Sequence, residues 1–76
     1  MIELRVPLGL LGTSESGSII LWLYKDGDLV KQGDVVAELL VEKTTIEIES
    51  PKNGILNIKM ETEVPVLEGD LLAVII

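Results

Sequence analysis

The residues best suited to chemistry lie in a short polar break, Glu42-Lys43-Thr44. The break separates the β-branched run Val35–Val41 from residues 45–49, in which apolar and acidic side chains alternate. Two strand-like runs joined by so short a link predict a β-hairpin, although no Asn-Gly or Asp-Gly marks the turn. On this interpretation Lys43 lies at the tip, where rigid strands on either side hold it out in water, and loop positions on a rigid scaffold are where function tends to lie.

A lysine in a turn is in most proteins a solvated charge. Two features set Lys43 apart: it is the only basic residue between Lys31 and Lys52, and its hairpin lacks the usual turn residues. A turn built without glycine or asparagine has usually kept its residues for something other than turn geometry. We therefore treat Lys43 as a candidate attachment point for a prosthetic group.

Other acidic residues have simpler interpretations. Asp26 and Asp28 flank a glycine as at the start of a calcium loop, but the EF-hand spacing and its distal glutamate are absent. They predict a turn and no metal site. Glu47 and Glu49 alternate on an outward face, which is typical of solvated strand positions and not of a catalytic pair. No catalytic residue is predicted.

Length and composition predict one small domain, residues 1–76, with an aliphatic core. The chain has no cysteine and no histidine, so disulfides are excluded and a zinc or iron–sulfur site has almost no ligands. Hydrophobic residues make up 47% of the chain, with Trp22 and Tyr24 as the only aromatics, so Leu, Ile and Val must fill the interior. Trp22, in the apolar run 19–24, is expected in that core.

The net charge of −7 narrows the choice of partners. A domain this acidic is repelled by phosphate backbones and anionic lipids, so we expect no nucleic acid and no membrane. No apolar run approaches the roughly 20 residues that span a bilayer, and the first residues lack the features of a signal peptide. Partner proteins with basic surfaces would be steered by the negative field.

The turn pattern predicts an all-β fold. Turn residues recur about every eight to twelve positions and no segment has a helical period, which indicates about seven or eight short strands. Residues 8–18 are expected to form a longer loop. Strands of this number and spacing are typical of a sandwich or flattened barrel.

An internal repeat sharpens this expectation. Residues 33–40 match residues 69–76 at a constant offset of 36, each beginning with Gly-Asp before an apolar strand. One half is too small to bury its own hydrophobic face, so we expect two related antiparallel sheets of about four strands each, with pseudo-two-fold symmetry. That symmetry would put the Lys43 hairpin and the chain termini at opposite ends of the domain.

Nearly the whole chain resembles, in order and without large gaps, the lipoyl domain of 2-oxo acid dehydrogenase complexes. The matching stretches are GSIILWLYKDGDLV at 17–30, GDVVAE at 33–38, EKT at 42–44, and IEIESP at 46–51 followed by Gly54. The resemblance implies that Lys43 carries lipoate in amide linkage, with Glu42 and Thr44 in place of the family's flanking aspartate and alanine. Biotinyl domains have methionine on both sides of their lysine, so lipoate is favoured and biotin is the alternative.

The resemblance implies two further positions that bear on recognition by the attaching enzyme. The family commonly has Glu-Thr where this chain has Leu40-Val41. By the pleat, Val35, Ala37, Leu39 and Val41 share the inner face, so Leu40 is expected on the outer face, near the lysine. It replaces an acid that resembles a recognition element, or it is simply one exposed leucine. Gly27 matches a turn glycine of the family that is associated with correct lipoylation. In the second half Thr62-Glu63 replace the corresponding glycine.

The resemblance implies a carrier without catalytic residues of its own, which may belong to a dihydrolipoyl acyltransferase. Its attached group would shuttle acyl groups and reducing equivalents between a 2-oxo acid dehydrogenase, an acyltransferase and a dihydrolipoamide dehydrogenase. A lipoate-attaching enzyme is a further expected partner. The implied location is the cytoplasm of a prokaryote or the mitochondrial matrix. A glycine-cleavage-type carrier and an unmodified acidic interaction module remain alternatives.

Overall fold

Eight β-strands account for the regular structure of the computed structural model, which describes residues 1–11 and 16–76. The strands are β1 Ile2–Arg5, β2 Gly17–Trp22, β3 Leu29–Val30, β4 Val35–Val41, β5 Thr44–Glu49, β6 Gly54–Ile58, β7 Pro65–Val66 and β8 Leu71–Ile75. The all-β prediction is confirmed. Within the described ranges no helix is long and apolar enough to cross a membrane.

The strands form two four-stranded sheets, β1-β8-β6-β3 and β5-β4-β2-β7. Every pairing is antiparallel. Two small antiparallel sheets were predicted from the turn spacing and the repeat, and this prediction is confirmed. The aliphatic core consists of inward-facing side chains from both sheets; the largest fully buried ones are Ile19, Leu39, Leu56, Leu72, Ile75, Val6, Val36 and Val66.

The sheet orders show the two-fold relation of the halves. Strands four apart in strand number are counterparts: β1 and β5, β2 and β6, β3 and β7, β4 and β8. When each strand of the first sheet is replaced by its counterpart, the order of the second sheet results. Backbone bonds repeat as well: the Gly27 amide donates to the Leu56 carbonyl over 2.7 Å, and the Glu63 amide donates to the Ile19 carbonyl over 2.8 Å. Predicted symmetry and observed topology agree.

Each sheet nevertheless contains strands from both halves, which the repeat did not reveal. The first half supplies β2 and β4 to one sheet and the edge strands β1 and β3 to the other. The segment between β2 and β3 carries the chain from one sheet to the other. A half therefore completes no sheet on its own, because each sheet needs two edge strands from the opposite half.

The first half of the chain departs from expectation in two places. Residues 8–11 form a turn closed by the Leu10 amide on the Pro7 carbonyl, β2 begins at Gly17, and residues 12–15 of the expected loop lie outside the described residues. The run 19–24 is not a buried strand, and Trp22 is only partly buried. A bulge between Ile19 and Leu21 leaves Leu21 47% exposed. The Trp22 indole donates to the Met60 carbonyl over 3.0 Å.

The Lys43 hairpin lies at the opposite end of the molecule from residue 76. Ile76 exchanges both backbone hydrogen bonds with Ile55, at the start of β6. At that same end, Ser50 and the residues that precede β4 bond to each other through their backbones. From there β4 runs seven residues toward the hairpin, a distance of about 20 Å. The expected separation of the hairpin from the chain ends is therefore observed.

Candidate functional site

The hairpin that presents Lys43 has a two-residue loop. Six cross-strand pairs join β4 to β5, from Val35 with Glu49 to Val41 with Thr44. Glu42 and Lys43 form the loop, and both are exposed. The predicted hairpin with Lys43 at its tip is confirmed. Thr44, expected in the polar break, is instead the first residue of β5, because its pairing with Val41 closes the ladder one residue earlier.

The turn holds an unusual backbone conformation at Glu42. Its φ is +56°, whereas Lys43 is not among the residues with positive φ. Positive φ at the first loop residue alone is the pattern of a type II′ turn, which favours glycine there. A left-handed conformation costs a non-glycine residue roughly 1–2 kcal/mol. The backbone beside Lys43 is thus held by the ladder against the local preference of Glu42.

Packing directly beneath the turn fixes its base. Val41 and Leu39 point into the core, with 7% and 0% of their surface exposed. Gly17 of β2 lies against the same segment: a Cβ built there would be 2.9 Å from the Leu40 carbonyl oxygen and 3.2 Å from Val41 Cγ2. Because only glycine permits this approach, β2 can pack tightly beside β4 near the turn.

Leu40 lies on the outer face of β4, as predicted, and is half-buried together with Glu38. The simple pleat is wrong at the start of the strand. A bulge between Val35 and Ala37 leaves Val36 fully buried and Val35 only partly so. The extra residue shifts the alternation before Ala37, so the faces of the residues nearer Lys43 are unchanged.

A shallow groove of about 280 Å³ lies beside the turn, and sequence reasoning missed it. Its lining residues are Ser16, Gly17, Ser18, Leu40, Glu42, Glu63 and Pro65. The groove brings together Leu40 and Glu42 from the predicted site with residues of β2 and of the segment around β7. The repeat contains one signal for this groove. Ser18 in the first half corresponds to Ile55 in the second half, so a small side chain stands where the other half has a large one.

The structure does not bring Gly27 to the lysine. Its turn, closed by the Asp28 amide on the Lys25 carbonyl, places φ of +92° at the glycine. The Gly27 amide bonds to Leu56, in the strand that begins beside Ile76. Gly27 therefore lies at the end of the domain away from Lys43. Any influence that it has on the site must be indirect, through the stability of the fold.

The acids that could suggest other chemistry have structural partners or face solvent. Asp28 Oδ2 accepts the Lys25 amide and Asp26 Oδ1 accepts the Ile58 amide, each over 2.8 Å. Glu47 and Glu49 are exposed, as predicted. No cluster of three possible metal-ligating side chains occurs in the described part of the chain.

The neighbours of the Tyr24 hydroxyl raise its pKa. The Tyr24 hydroxyl donates to Asp34 Oδ2 over 3.2 Å. This bond to a carboxylate, with burial and the negative charges of Asp34 and Asp28, raises the pKa of Tyr24 above its ordinary value of 10.0. The bond links the two turns on either side of β3 and is remote from the hairpin, so it has no part in the candidate site.

Comparison with known proteins gives a family match and a set of relatives. The Biotin_lipoyl family model, described as "Biotin-requiring enzyme", matches residues 3–75. The dihydrolipoyllysine-residue acetyltransferase component of the pyruvate dehydrogenase complex from Rhizobium meliloti is 43% identical over 53 residues, covering 70% of this chain and 12% of the relative. The same component from Rickettsia typhi is 42% identical over 55 residues, covering 72% and 13%.

Two further proteins are similar to this chain. The pyruvate dehydrogenase E1 component subunit beta of Rhizobium meliloti is 33% identical over 79 residues, covering 91% of this chain and 17% of the relative. The lipoyl domain of the 2-oxoglutarate dehydrogenase complex from Azotobacter vinelandii superposes with a TM-score of 0.81 at 22% identity, over 100% of this chain and 96% of that domain. The structural match shows a shared fold. The chain spans less than a fifth of the length of the relatives named above.

Proposed function

The chain belongs to the Biotin_lipoyl family, and from this premise we propose that it is a lipoyl carrier domain whose attachment residue is Lys43. The observation that carries the proposal is the exposed amine at a two-residue turn between two paired strands. An attaching enzyme needs an amine that it can surround, and this turn offers one. Glu42 and Thr44 would be the flanking residues that the enzyme meets.

The residues around Lys43 fit lipoate. The side chain is exposed and stands on a turn whose base is packed into the core, so an amide can form without rearrangement of the fold. Leu40 offers apolar surface close to the turn, which suits a hydrocarbon arm. The acetyltransferase relatives have dihydrolipoyllysine in their names, and this favours lipoate over biotin.

The protein would contribute position, and the attached group would contribute reactivity. Lipoate supplies a dithiolane that can accept an acyl group and electrons. The β4–β5 ladder holds the base of the arm, while the lysine side chain gives it freedom to move between sites. Amide formation also removes one positive charge, which changes the net charge from −7 to −8. Electrostatic steering by basic partner surfaces would therefore grow slightly stronger.

We extend the proposal to partners from the relatives. They are named as components of the pyruvate dehydrogenase complex, which supports a lipoate-attaching enzyme, a 2-oxo acid dehydrogenase, an acyltransferase and a dihydrolipoamide dehydrogenase as the enzymes that meet this domain. Their bacterial sources support a cytoplasmic site of action. Leu40 would then take part in recognition by the attaching enzyme, while Gly27 would act through the fold.

Intact-mass measurement after co-expression with a lipoate ligase tests the proposal. We expect a mass increase of one lipoyl group, located on Lys43 by peptide mapping. Lys43→Arg should abolish it, because the guanidinium is not acylated, and should leave the free energy of unfolding within about 0.5 kcal/mol of the wild type since the residue is exposed. Lys52→Arg, in another exposed turn, is the matched control and should remain fully modified.

Co-expression with a biotin ligase tests the second candidate, a biotin carrier, which the family's description "Biotin-requiring enzyme" supports. A biotin-sized increase on Lys43 without lipoylation would assign the domain to the biotin carriers. A chain that neither ligase modifies would contradict the carrier function and leave an unmodified interaction module.

A further inference from the structure

The groove beside the turn is a row of three residues on neighbouring strands. Ser18 of β2 pairs with Leu40 of β4 on one side and with Pro65 of β7 on the other. Directly opposed residues of antiparallel strands share a face, so the three side chains stand together on the outer surface. The small serine between two larger side chains makes a trough.

The repeat shows that this trough is peculiar to the lysine end. The equivalent row in the other sheet is Ile76, Ile55 and Leu29: Ile55 exchanges both backbone bonds with Ile76 and pairs with Leu29. There a branched side chain stands in the middle of the row, where Ser18 stands here. Two related surfaces thus differ in the one position that decides whether the middle is open or filled.

The trough starts at the turn itself. Glu42, the neighbour of Lys43, lines the groove together with Leu40. Three adjacent strands span about 10 Å across the sheet. A lysine bearing an eight-carbon acyl group in amide linkage has thirteen bonds from its Cα to the far carbon, a reach of ~16 Å when extended. The whole row is therefore within reach of an arm on Lys43.

From these observations we propose that the trough formed by Leu40, Ser18 and Pro65 is a resting site for the apolar part of the acyl arm on Lys43. This inference rests on the proposed function. The arm would lie over Ser18 between the side chains of Leu40 and Pro65, and Glu42 and Glu63 would border it. Apolar contact of a hydrocarbon chain with these side chains is favourable because it removes both from water. A partner enzyme would draw the arm out of the trough.

NMR of the 76-residue chain tests the inference, with octanoate attached to Lys43 by a lipoate ligase as the probe. The readout is the contact between octanoyl protons and the methyl groups of Leu40, seen as nuclear Overhauser effects and a changed methyl shift. Lys43→Gln reproduces the loss of charge without the chain, so a shift caused by charge alone is subtracted. The methyl chemical shifts of Leu29, at the end of the domain away from Lys43, should not change.

Two variants, each carrying the residue found at the equivalent position of the other half, provide the test and its control. Ser18→Ile fills the trough with the residue that the repeat already accommodates at the equivalent place, and it should abolish the octanoyl–Leu40 contacts while octanoylation persists. Ile55→Ser opens the other row and should leave the contacts unchanged. Octanoylated protein without contacts to Leu40, or with contacts that survive Ser18→Ile, would overturn this inference alone. Absence of octanoate from Lys43 would overturn the proposed function, and the resting site with it.

Discussion

Glu63 holds a backbone conformation that the other half of the chain gives to a glycine. Its φ is +67°, and the equivalent Gly27 has a φ of +92°. Both amides bond to equivalent carbonyls, that of Ile19 in β2 for Glu63 and that of Leu56 in β6 for Gly27. The turn is therefore preserved by its hydrogen bond although one copy has a side chain that disfavours it.

Glu63→Gly should raise the free energy of unfolding by about 0.5–1 kcal/mol, since relief of the left-handed conformation exceeds the added flexibility of glycine. Gly27→Ala should lower it by about 1 kcal/mol because the same conformation is imposed on a Cβ. Urea titration measures both. Glu61→Gly, at a position without positive φ, is the control and should not stabilise. A loss of stability in Glu63→Gly would contradict this account.

At the scale of the strands, Gly17 sets how closely β2 approaches the hairpin. An added Cβ would meet the Leu40 carbonyl oxygen at 2.9 Å, and at the equivalent Gly54 it would meet the Ile76 carbonyl oxygen at 2.5 Å. Both contacts are with backbone, which cannot move aside without disturbing the ladder. The two glycines thus have the same role at opposite ends of the molecule.

Gly17→Ala should lower the free energy of unfolding by about 1–3 kcal/mol, as overpacking does, and Gly54→Ala by at least as much. The two should differ locally. Amide hydrogen exchange at Leu40 should accelerate in Gly17→Ala because local opening becomes easier there, and should not change beyond the global loss of stability in Gly54→Ala. Equal acceleration of exchange at Leu40 in both variants would show that Gly17 does not stabilise the hairpin locally.

The strands nearest the site could be predicted from sequence because their pattern is local. Alternation in residues 45–49 and the β-branched run before Glu42 sufficed to place the hairpin and the exposure of Lys43. The bulge at Val36 and the positive φ of Glu42 could not be predicted, because neither has a glycine to mark it. The groove was missed for another reason: it depends on which residues of β2 and β7 lie beside Leu40, and that is a matter of long-range pairing.

At the scale of the whole molecule, the exchange of edge strands ties the halves together. The repeat predicted two related sheets, but local pattern carries no record of which strands pair across the molecule. In the structure β1 pairs with β8 and β3 with β6, so each half supplies the edges of the other half's sheet. The core between the two sheets is therefore complete only when both halves are present.

Cutting the chain at the hairpin tip tests this dependence. Fragments 1–42 and 43–76 should each give the far-ultraviolet circular dichroism of an unfolded chain, because each lacks two strands of every sheet and is too short to bury a core. The intact chain is the reference and should show β-sheet. A cooperative thermal transition in either isolated fragment would contradict the prediction.

The six cross-strand pairs of the hairpin have a mechanical consequence for whatever Lys43 carries. Because these pairs hold the base of the turn, the freedom of an attached group to change direction comes mainly from the rotatable bonds of the lysine side chain and of the group itself. The reactive end of the group would then reach positions on part of a sphere centred on the backbone of Lys43. How far a partner may stand from this domain is set by the chemistry of the arm and not by flexing of the backbone.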